Sequence, residues 1–254
     1  MPLNGVRPLS KMSFESTAQL TRPVDESMIA AMFDRISGRY DFLNRLLSAR
    51  QDVRWRGTLI SMVPTRKGGT YLDMATGTGD VLLSATKAHP EYATFLGGDI
   101  SKGMLHFAGK KASAAGLSER VEWRVMSAES IETPTESVDC ASISFGLRNV
   151  VNKEKALSEF ARVLKPGGVF LILEFFTPTS GFVSRAFQFY FHKILPQIGR
   201  LFSEKEAYTY LPQSVASFYS PSELRDSLAA KGFVVEKEKN FLFGACRLVK
   251  SRRT

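Results

Sequence analysis

The residues best suited to chemistry lie in one short stretch, Leu72–Asp80, which reads L-D-M-A-T-G-T-G-D. An apolar run ends there in two glycines, Gly77 and Gly79, and Asp80 then opens a helical pattern. Glycine accepts positive φ and has no Cβ, so a ligand can approach the backbone. The first turn of the following helix presents free N–H groups. The stretch predicts a ligand-binding turn after a strand, although a tight turn without a ligand would have the same pattern.

A second acidic residue, Asp99, ends the next predicted strand. An acid in this position accepts hydrogen bonds from the ribose hydroxyls of an adenosine, which NAD and S-adenosylmethionine both carry. Leu82 stands where the dinucleotide fingerprint needs its third glycine. Asp80 would also put a carboxylate where a pyrophosphate binds. Both features favour the sulfonium cofactor, S-adenosylmethionine, whose positive charge would gain from the nearby carboxylates of Asp73 and Asp80.

The elements that must position these residues alternate between strands and helices. Five strands are predicted from apolar runs: Thr70–Ala75, Thr94–Gly98, Val121–Met126, Val138–Ser144 and Val169–Glu174. Such alternation implies a parallel, doubly wound sheet. Two closing strands, Phe233–Lys237 and Phe241–Val249, are too close together for a crossover, so the last must run antiparallel. We therefore predict a Rossmann-like α/β fold with a mostly parallel, seven-stranded sheet. The antiparallel end argues against a dehydrogenase.

The remaining segments predict a disordered arm over residues 1–24 and a single domain over residues 25–254. Asp25 is expected to cap the first helix of that domain. Within it we expect an N-terminal helical cap over residues 25–66 and a cofactor-binding core over residues 67–174. An aromatic-rich substrate lid is expected over residues 175–220, and a closing helix with the hairpin over residues 221–254.

The lid prediction depends on a cluster of aromatic residues: Phe182, Phe187, Phe189, Tyr190 and Phe191. These could line a channel for a long apolar substrate or lie against a bilayer. Helices packed on the edge of the sheet would use the same residues, so that alternative stays open.

The composition, with 44% hydrophobic and 23% charged residues, is that of an ordinary globular protein. No apolar stretch reaches the ~18 residues of a membrane span. The two cysteines lack C-x-x-C spacing and the three histidines are scattered, so we expect no metal site. The net charge of +9 is spread along the chain rather than gathered in a basic aromatic stripe. This argues against nucleic acid and favours contact with an anionic membrane surface.

Several segments together carry a more specific signal. They are Tyr40–Ser48 (Y-D-F-L-N-R-L-L-S) with Trp55, Leu72–Asp80, Gly98–Ser101, Ser144–Val150 (S-F-G-L-R-N-V), Arg162–Gly168, Leu173–Phe175 and Tyr208–Ser214. In these segments the chain resembles the C-methyltransferase family of ubiquinone and menaquinone biosynthesis, among the class I S-adenosylmethionine-dependent methyltransferases. The likeness covers about Met28 to Val249. The glycine turn is common to many methyltransferases, whereas G-L-R-N-V and the Tyr40–Ser48 run are far more specific.

The resemblance implies S-adenosylmethionine as cofactor and methylation of a carbon on a prenylated quinol ring, with demethylmenaquinol as the first expectation. A polyprenyl methoxy-benzoquinol of ubiquinone biosynthesis is the alternative substrate. A non-catalytic scaffold for a membrane-associated complex is an alternative of another class. We expect a cytoplasmic protein that touches the inner face of the membrane peripherally, and a homodimer stays open.

The cofactor-binding residues expected from the motifs and the resemblance are Asp73, Gly77, Thr78, Gly79, Asp99, Ser127, Ala128 and Ser144. The chain departs from the family's pattern in two places. Ser127 stands where the family usually has Asn or Asp, which weakens an adenine contact there. Asp52 stands where the family often has His, which weakens any proposal of a histidine base.

The catalytic residues are predicted from the chemistry of the acceptor. A quinol carbon is a weak nucleophile until a neighbouring hydroxyl loses its proton. Arg148, which stays protonated, could stabilise the developing phenolate with Asn149 as a hydrogen-bond partner. Tyr40 and Asp41 are the next candidates, because their segment should fold over the cofactor. A structural ion pair for Arg148 and a core position for Tyr40 stay open.

Overall fold

The computed structural model describes residues 25–178 and 205–254, with residues 181, 184, 185, 189 and 197 between them. The predicted arm, residues 1–24, lies outside the described residues. So do four of the five predicted lid aromatics, namely Phe182, Phe187, Tyr190 and Phe191. The fifth, Phe189, is 60% exposed.

A seven-stranded sheet with the order β3-β2-β1-β4-β5-β7-β6 forms the centre of the described part. Its strands are β1 (Thr70–Met74), β2 (Thr94–Asp99), β3 (Val121–Val125), β4 (Val138–Ser144), β5 (Leu164–Phe175), β6 (Phe233–Phe241) and β7 (Cys246–Arg253). The first five pair in parallel, and β7 runs antiparallel to both β5 and β6. The predicted doubly wound sheet with an antiparallel last strand is confirmed.

The bounds predicted for the closing hairpin were wrong. Phe241 ends β6 rather than opening β7, the turn occupies Leu242–Gly244, and β7 begins at Cys246. The charged run Lys237–Lys239 has the appearance of a turn in the sequence. It continues the strand because β6 lies at the edge of the sheet, where charged side chains can point into solvent.

In the described part, five helices accompany the sheet, and one of them, Lys205–Ala216, was not predicted. They are α4 (Asp80–Ala88), α5 (Lys102–Ala114), α6 (Lys153–Val163), α7 (Lys205–Ala216) and α8 (Pro221–Ala230). Ser101 caps α5, since its Oγ accepts a hydrogen bond from the Met104 backbone N–H at 3.0 Å. Helix α8 begins behind a capping box formed by Ser220 and Glu223.

The N-terminal segment folds into three helices, α1 (Glu26–Ile36), α2 (Tyr40–Leu47) and α3 (Gln51–Ile60). Asp25 caps α1 by accepting a hydrogen bond from Met28 N at 2.9 Å, as predicted. Trp55 anchors α3 on the core: it is 3% exposed and its ring lies about 6 Å from those of Phe145, Phe175 and Phe241. These three helices are called the cap below.

Two aromatic residues from the predicted lid belong to the core instead. Phe176 is 1% and Phe218 is 8% exposed, and their ring centroids lie 5.2 Å apart. Both join the apolar cluster on one face of the sheet, with Leu72 and Ile172 from the strands. None of the helices in the described part is long and apolar enough to cross a bilayer.

Candidate cofactor and substrate site

The glycine turn after β1 has the conformation that its sequence demands. Gly77 and Gly79 have φ values of +58° and +81°, which L-residues rarely adopt. A Cβ on Gly79 would lie 2.7 Å from the Trp123 ring, whereas one on Gly77 would meet only the Tyr40 ring at 3.7 Å. Gly79 therefore permits close packing inside the protein, and Gly77 leaves the outer side of the turn open to a ligand.

Asp73 supports this turn from below. Its carboxylate accepts hydrogen bonds from Thr76 Oγ1 at 2.6 Å and from Ser142 Oγ, and the side chain is 1% exposed. Burial raises the pKa of Asp73 to about 6, although both hydrogen bonds act in the opposite direction. Asp73 thus holds the loop in place and does not line the cavity described next.

Asp99 joins the turn to the end of β2. Its Oδ2 accepts from the Gly77 backbone N–H at 2.8 Å and its Oδ1 from the Ser101 N–H at 2.9 Å. Burial raises the pKa of Asp99 to about 6. Because it also lines the cavity, Asp99 has a carboxylate placed to accept hydrogen bonds from a ligand there.

A cavity of about 630 Å³, part of it open to solvent, lies at the carboxyl ends of β1, β2 and β4 beneath the cap. It brings together half of the predicted site residues: Tyr40, Gly77, Asp99, Ala128, Ser144 and Asn149. The predicted residues that do not line it are Asp41, Asp73, Thr78, Gly79, Ser127 and Arg148. The wall is largely apolar and includes Ile29, Phe33, Met104, Met126, Phe145 and Val150.

Two polar atoms in the wall lack a partner. Ser144 Oγ and Asn149 Oδ1 are buried and form no hydrogen bond within the described residues. The Asn149 amide is held by its Nδ2, which donates to the Phe145 carbonyl at 3.3 Å. Phe145 itself has a strained φ of +57°. Since an unpaired buried polar atom costs free energy, the site fits a bound molecule that supplies polar groups at both positions.

Arg148 lies behind the cavity wall in a buried ion pair with Glu174. Its Nη1 donates to Glu174 Oε1 and to the Phe145 carbonyl, both at 2.6 Å. The side chains of Arg148 and Glu174 are 9% and 0% exposed. Arg148 Nε is buried and has no partner among the residues the structure describes. Arg148 therefore forms the structural ion pair that was the alternative to a catalytic role, and its catalytic role stays a prediction.

A polar network fastens the cap to the glycine turn. Thr78 Oγ1 donates to Asp41 Oδ1 at 2.6 Å, and Lys111 Nζ donates to Asp41 Oδ2 at 2.8 Å. Burial raises the pKa of Asp41, but the hydrogen bonds from Lys111 and Thr78 outweigh it and hold the pKa below its usual value. Asp41 and Thr78 thus bind each other across the joint between the cap and the core.

Asp80 belongs to the same network, and its role beside a sulfonium stays a prediction. Its carboxylate is paired with Lys111, with Arg56 at 2.7 Å and with Arg45 at 3.3 Å. The Asp80 carboxylate therefore already has three cationic partners within the protein. Asp52, where the family often has His, is ion-paired with the same Arg56 at 3.4 Å.

Ser127 meets the cap at the far side of the cavity. Its Oγ donates to Glu26 Oε1 and accepts from the Glu129 N–H at 3.0 Å. Glu26 and the neighbouring Ala128 both line the cavity. The hydroxyl of Ser127 is thus engaged with α1, which leaves the Ala128 side of this turn to face a ligand.

Sequence reasoning missed three residues of the site: Glu26, Lys111 and Glu174. Glu174 had a signal, because it is an acid inside the apolar run L-I-L-E-F-F and such a residue must find a buried partner. Glu26 and Lys111 had none, since their roles depend on how the cap docks.

A parallel sheet closed by an antiparallel strand, a glycine turn after β1 and an acid at the end of β2 define a class I methyltransferase that uses S-adenosyl-L-methionine. The model of the ubiE/COQ5 methyltransferase family matches residues 21–251, and the chain belongs to this family.

Two relatives support this family assignment, and one solved structure shares the fold. The ubiquinone/menaquinone biosynthesis C-methyltransferase of Geobacter sulfurreducens is 43% identical over 85% of this chain and 84% of its own length. The demethylmenaquinone methyltransferase of Thermus thermophilus is 41% identical over 82% and 93% of the two chains. An S-adenosylmethionine-dependent methyltransferase from Aquifex aeolicus has a TM-score of 0.57 at 20% identity, covering 78% of this chain and 89% of that one. The last likeness shows the fold alone.

Proposed function

We propose that this enzyme transfers a methyl group from S-adenosyl-L-methionine to a ring carbon of a prenylated quinol, with demethylmenaquinol as the substrate. The observation that carries the proposal is the pairing of an apolar cavity wall with two unpartnered polar atoms, Ser144 Oγ and Asn149 Oδ1. A cofactor that meets Ser144 Oγ and a flat apolar ring whose hydroxyl meets Asn149 Oδ1 are together complementary to such a site. The name of the Thermus thermophilus relative, demethylmenaquinone methyltransferase, supports the naphthoquinol ring.

The residues that would hold the cofactor surround the glycine turn. Asp99 would accept hydrogen bonds from the ribose hydroxyls, Ala128 would lie at the adenine, and the missing Cβ of Gly77 leaves room beside Tyr40. Ser144 Oγ supplies a further polar contact. When bound, S-adenosyl-L-methionine provides an electrophilic methyl group on a positively charged sulfur.

The residues on the β4 side would prepare the acceptor. Asn149 Oδ1 can accept a hydrogen bond from a quinol hydroxyl and so orient the ring. The guanidinium of Arg148, held by Glu174, places a fixed positive charge behind the wall, where it stabilises negative charge that develops as the hydroxyl loses its proton. The apolar wall excludes water from the carbon that becomes nucleophilic.

Methyl transfer to defined quinols tests this proposal. The purified chain is incubated with S-adenosyl-L-methionine and either a short-chain demethylmenaquinol or the corresponding methoxy-benzoquinol, and product mass is followed. We expect the naphthoquinol to gain one methyl group and its oxidised quinone, as control, to gain none. Preference for the benzoquinol would favour the ubiquinone-pathway alternative. Cofactor binding without transfer to either ring would favour the non-catalytic scaffold and contradict the proposal.

We also propose that the enzyme works in the cytoplasm, in peripheral contact with the inner face of the membrane. Its net charge of +9 would favour an anionic surface, and a prenylated substrate resides in a bilayer. Binding to vesicles at low and high salt tests the contact. The homodimer stays a prediction that the mass in solution decides.

A further inference from the structure

The turn between β6 and β7 exposes two large apolar side chains. Phe243 is 89% and Leu242 is 51% exposed, and Phe243 is the most exposed large hydrophobic residue of the described part. The residues that follow, Gly244, Ala245 and Cys246, are buried. The exposed pair therefore projects from an otherwise well-packed hairpin.

The backbone conformation of this turn is also unfavourable for Leu and Phe. Leu242 and Phe243 have φ values of +46° and +54°, in the left-handed region. Turn positions with this conformation favour Asn and Gly, which adopt positive φ at little cost. Neither the local conformation nor core packing accounts for Leu and Phe here. A strained and exposed apolar pair calls for an explanation outside the fold.

The turn lies at the end of the sheet where the parallel strands have their carboxyl ends, which is also the end that carries the cofactor and substrate site. Cys246 is in register with both Phe175 at the end of β5 and Phe241 at the end of β6. Since β5 is parallel to the strands that end at the cavity, the tip of the hairpin points to the same side of the molecule. The cap borders it, with the Trp55 ring 6.0 Å from that of Phe241.

Positive charge accompanies the apolar pair. Lys237 and Lys239 are exposed on β6 and form no ion pair within residues 25–178 and 205–254. Lys239 Nζ lies 5.6 Å from the centroid of the Phe241 ring, which leads directly into the turn. Exposed Phe and Leu next to unpaired lysines are complementary to an anionic lipid surface, where the apolar groups enter the acyl boundary and the ammonium groups meet the headgroups.

We propose that Leu242 and Phe243 insert into an anionic bilayer and so hold the carboxyl edge of the sheet against it. The cavity then opens toward the membrane, and a quinol with a long prenyl tail can reach the ring site while its tail stays in lipid. The identity of that membrane-borne ligand rests on the proposed function, whereas the binding of the turn to lipid does not.

The test replaces the pair by the residues that the turn itself favours, Leu242→Asn with Phe243→Gly. The purified full chain is floated with vesicles of phosphatidylglycerol and phosphatidylcholine, or of phosphatidylcholine alone. We expect wild type to bind the anionic vesicles and the double variant to bind them at least about tenfold more weakly. Its melting temperature should be unchanged or higher, because turn strain is relieved. The matched control is Val234→Asn, which removes a side chain that is 55% exposed at the opposite end of β6.

Activity separates this inference from the proposed function. The double variant should keep wild-type turnover on a short-chain quinol in solution and lose turnover on a long-chain quinol in vesicles. Absence of methyl transfer to the short-chain quinol in wild type would sink the proposed function and leave lipid binding standing. The membrane role would be overturned if wild type bound neither kind of vesicle, or if the double variant bound the anionic vesicles as tightly as wild type. A lower melting temperature or a change in mass in solution would overturn it too, in favour of packing within the chain or with a second copy.

Discussion

Nη1 of Arg148 lies 2.6 Å from Oε1 of the fully buried Glu174. The second oxygen of that carboxylate is 3.3 Å from the backbone N of Arg148, and Nη1 also binds the Phe145 carbonyl. One carboxylate therefore fixes the side chain and the backbone of the loop that carries Asn149 into the cavity. Glu174 acts as a positioning residue for this loop.

Replacing the two partners of this pair separately and together should distinguish charge from scaffolding. Arg148→Met leaves a buried carboxylate unpaired and should lower the free energy of unfolding by about 3 to 5 kcal/mol. Combining it with Glu174→Gln should recover much of that loss, since no charge is then stranded. Turnover should stay low in both variants while affinity for S-adenosylhomocysteine holds. Denaturation curves and kinetics measure this, and full activity in the double variant would show that the charge takes no part in methyl transfer.

Asp99 should contribute to cofactor affinity through its charge. Replacing it by Asn removes an ionised acceptor and should weaken binding of S-adenosylhomocysteine by about 1 to 3 kcal/mol, the range for hydrogen bonds to charged groups. Because the pKa of Asp99 is raised to about 6, wild-type affinity should fall as the pH drops below that value. Calorimetry at several pH values measures both effects. Asp99→Asn with unchanged affinity would contradict the ribose contact.

Asp99 should also make the free energy of unfolding depend on pH when no ligand is bound. Its folded pKa of about 6 lies above its ordinary value, so the folded protein binds a proton that the unfolded chain does not bind between about pH 4 and 6. The stabilising contribution is complete at the acid end of this window and disappears as the pH rises through 6. Relative to Asp99→Asn, wild type should thus gain free energy of unfolding as the pH falls. A constant difference between the two proteins across this window would refute the raised pKa.

The parts of the site that the sequence predicts well are those that local geometry decides. Gly77 and Asp99 line the cavity and follow strands directly, so the strand ends and the positive φ of glycine place them. The pairing of Glu174 with Arg148 and of Asp41 with Thr78 could not be predicted, because each joins elements brought together only by packing. The predicted hairpin bounds were wrong for a related reason. Because β6 lies at the edge of the sheet, it carries charged residues that are more typical of a turn.

The two glycines of the turn should respond differently to alanine. Gly79→Ala brings a Cβ to 2.7 Å from Trp123 and should destabilise the fold by more than about 1 kcal/mol. Gly77→Ala meets only Tyr40 at 3.7 Å, so its larger effect should be on cofactor affinity. Gly57→Ala in α3 has nothing within 4 Å and should stabilise by about 0.5 to 1 kcal/mol. Melting curves and S-adenosylhomocysteine titrations separate these outcomes, and equal affinity loss in Gly77→Ala and Gly57→Ala would count against the ligand role of the turn.

Lys111 should control how long the cap stays closed over the cofactor. Its Nζ reaches Asp41 Oδ2 at 2.8 Å and Thr78 Oγ1 at 3.1 Å, and it also pairs with Asp80. It thereby ties α2, which carries Tyr40 over the cavity, to the glycine turn. With Lys111→Met, Asp80 keeps Arg56 and Arg45 but Asp41 loses its nearest cation. Stability should fall only modestly, since Lys111 is 32% exposed and its pairs are partly screened.

The larger effect of Lys111→Met should be faster release of S-adenosylhomocysteine, by about threefold to tenfold if the lost contacts are worth about 0.7 to 1.4 kcal/mol. Stopped-flow displacement measures the rate. Arg45→Met is the matched control, because Arg45 is 36% exposed and its contacts duplicate shorter ones. Its contact with Asp80, at 3.3 Å, duplicates that of Arg56, and its contact with Asp41, at 4.0 Å, duplicates that of Lys111. Its release rate should stay near that of wild type. Equal acceleration in both variants would mean that general loosening of the cap, rather than the link through Lys111, sets how fast the product leaves.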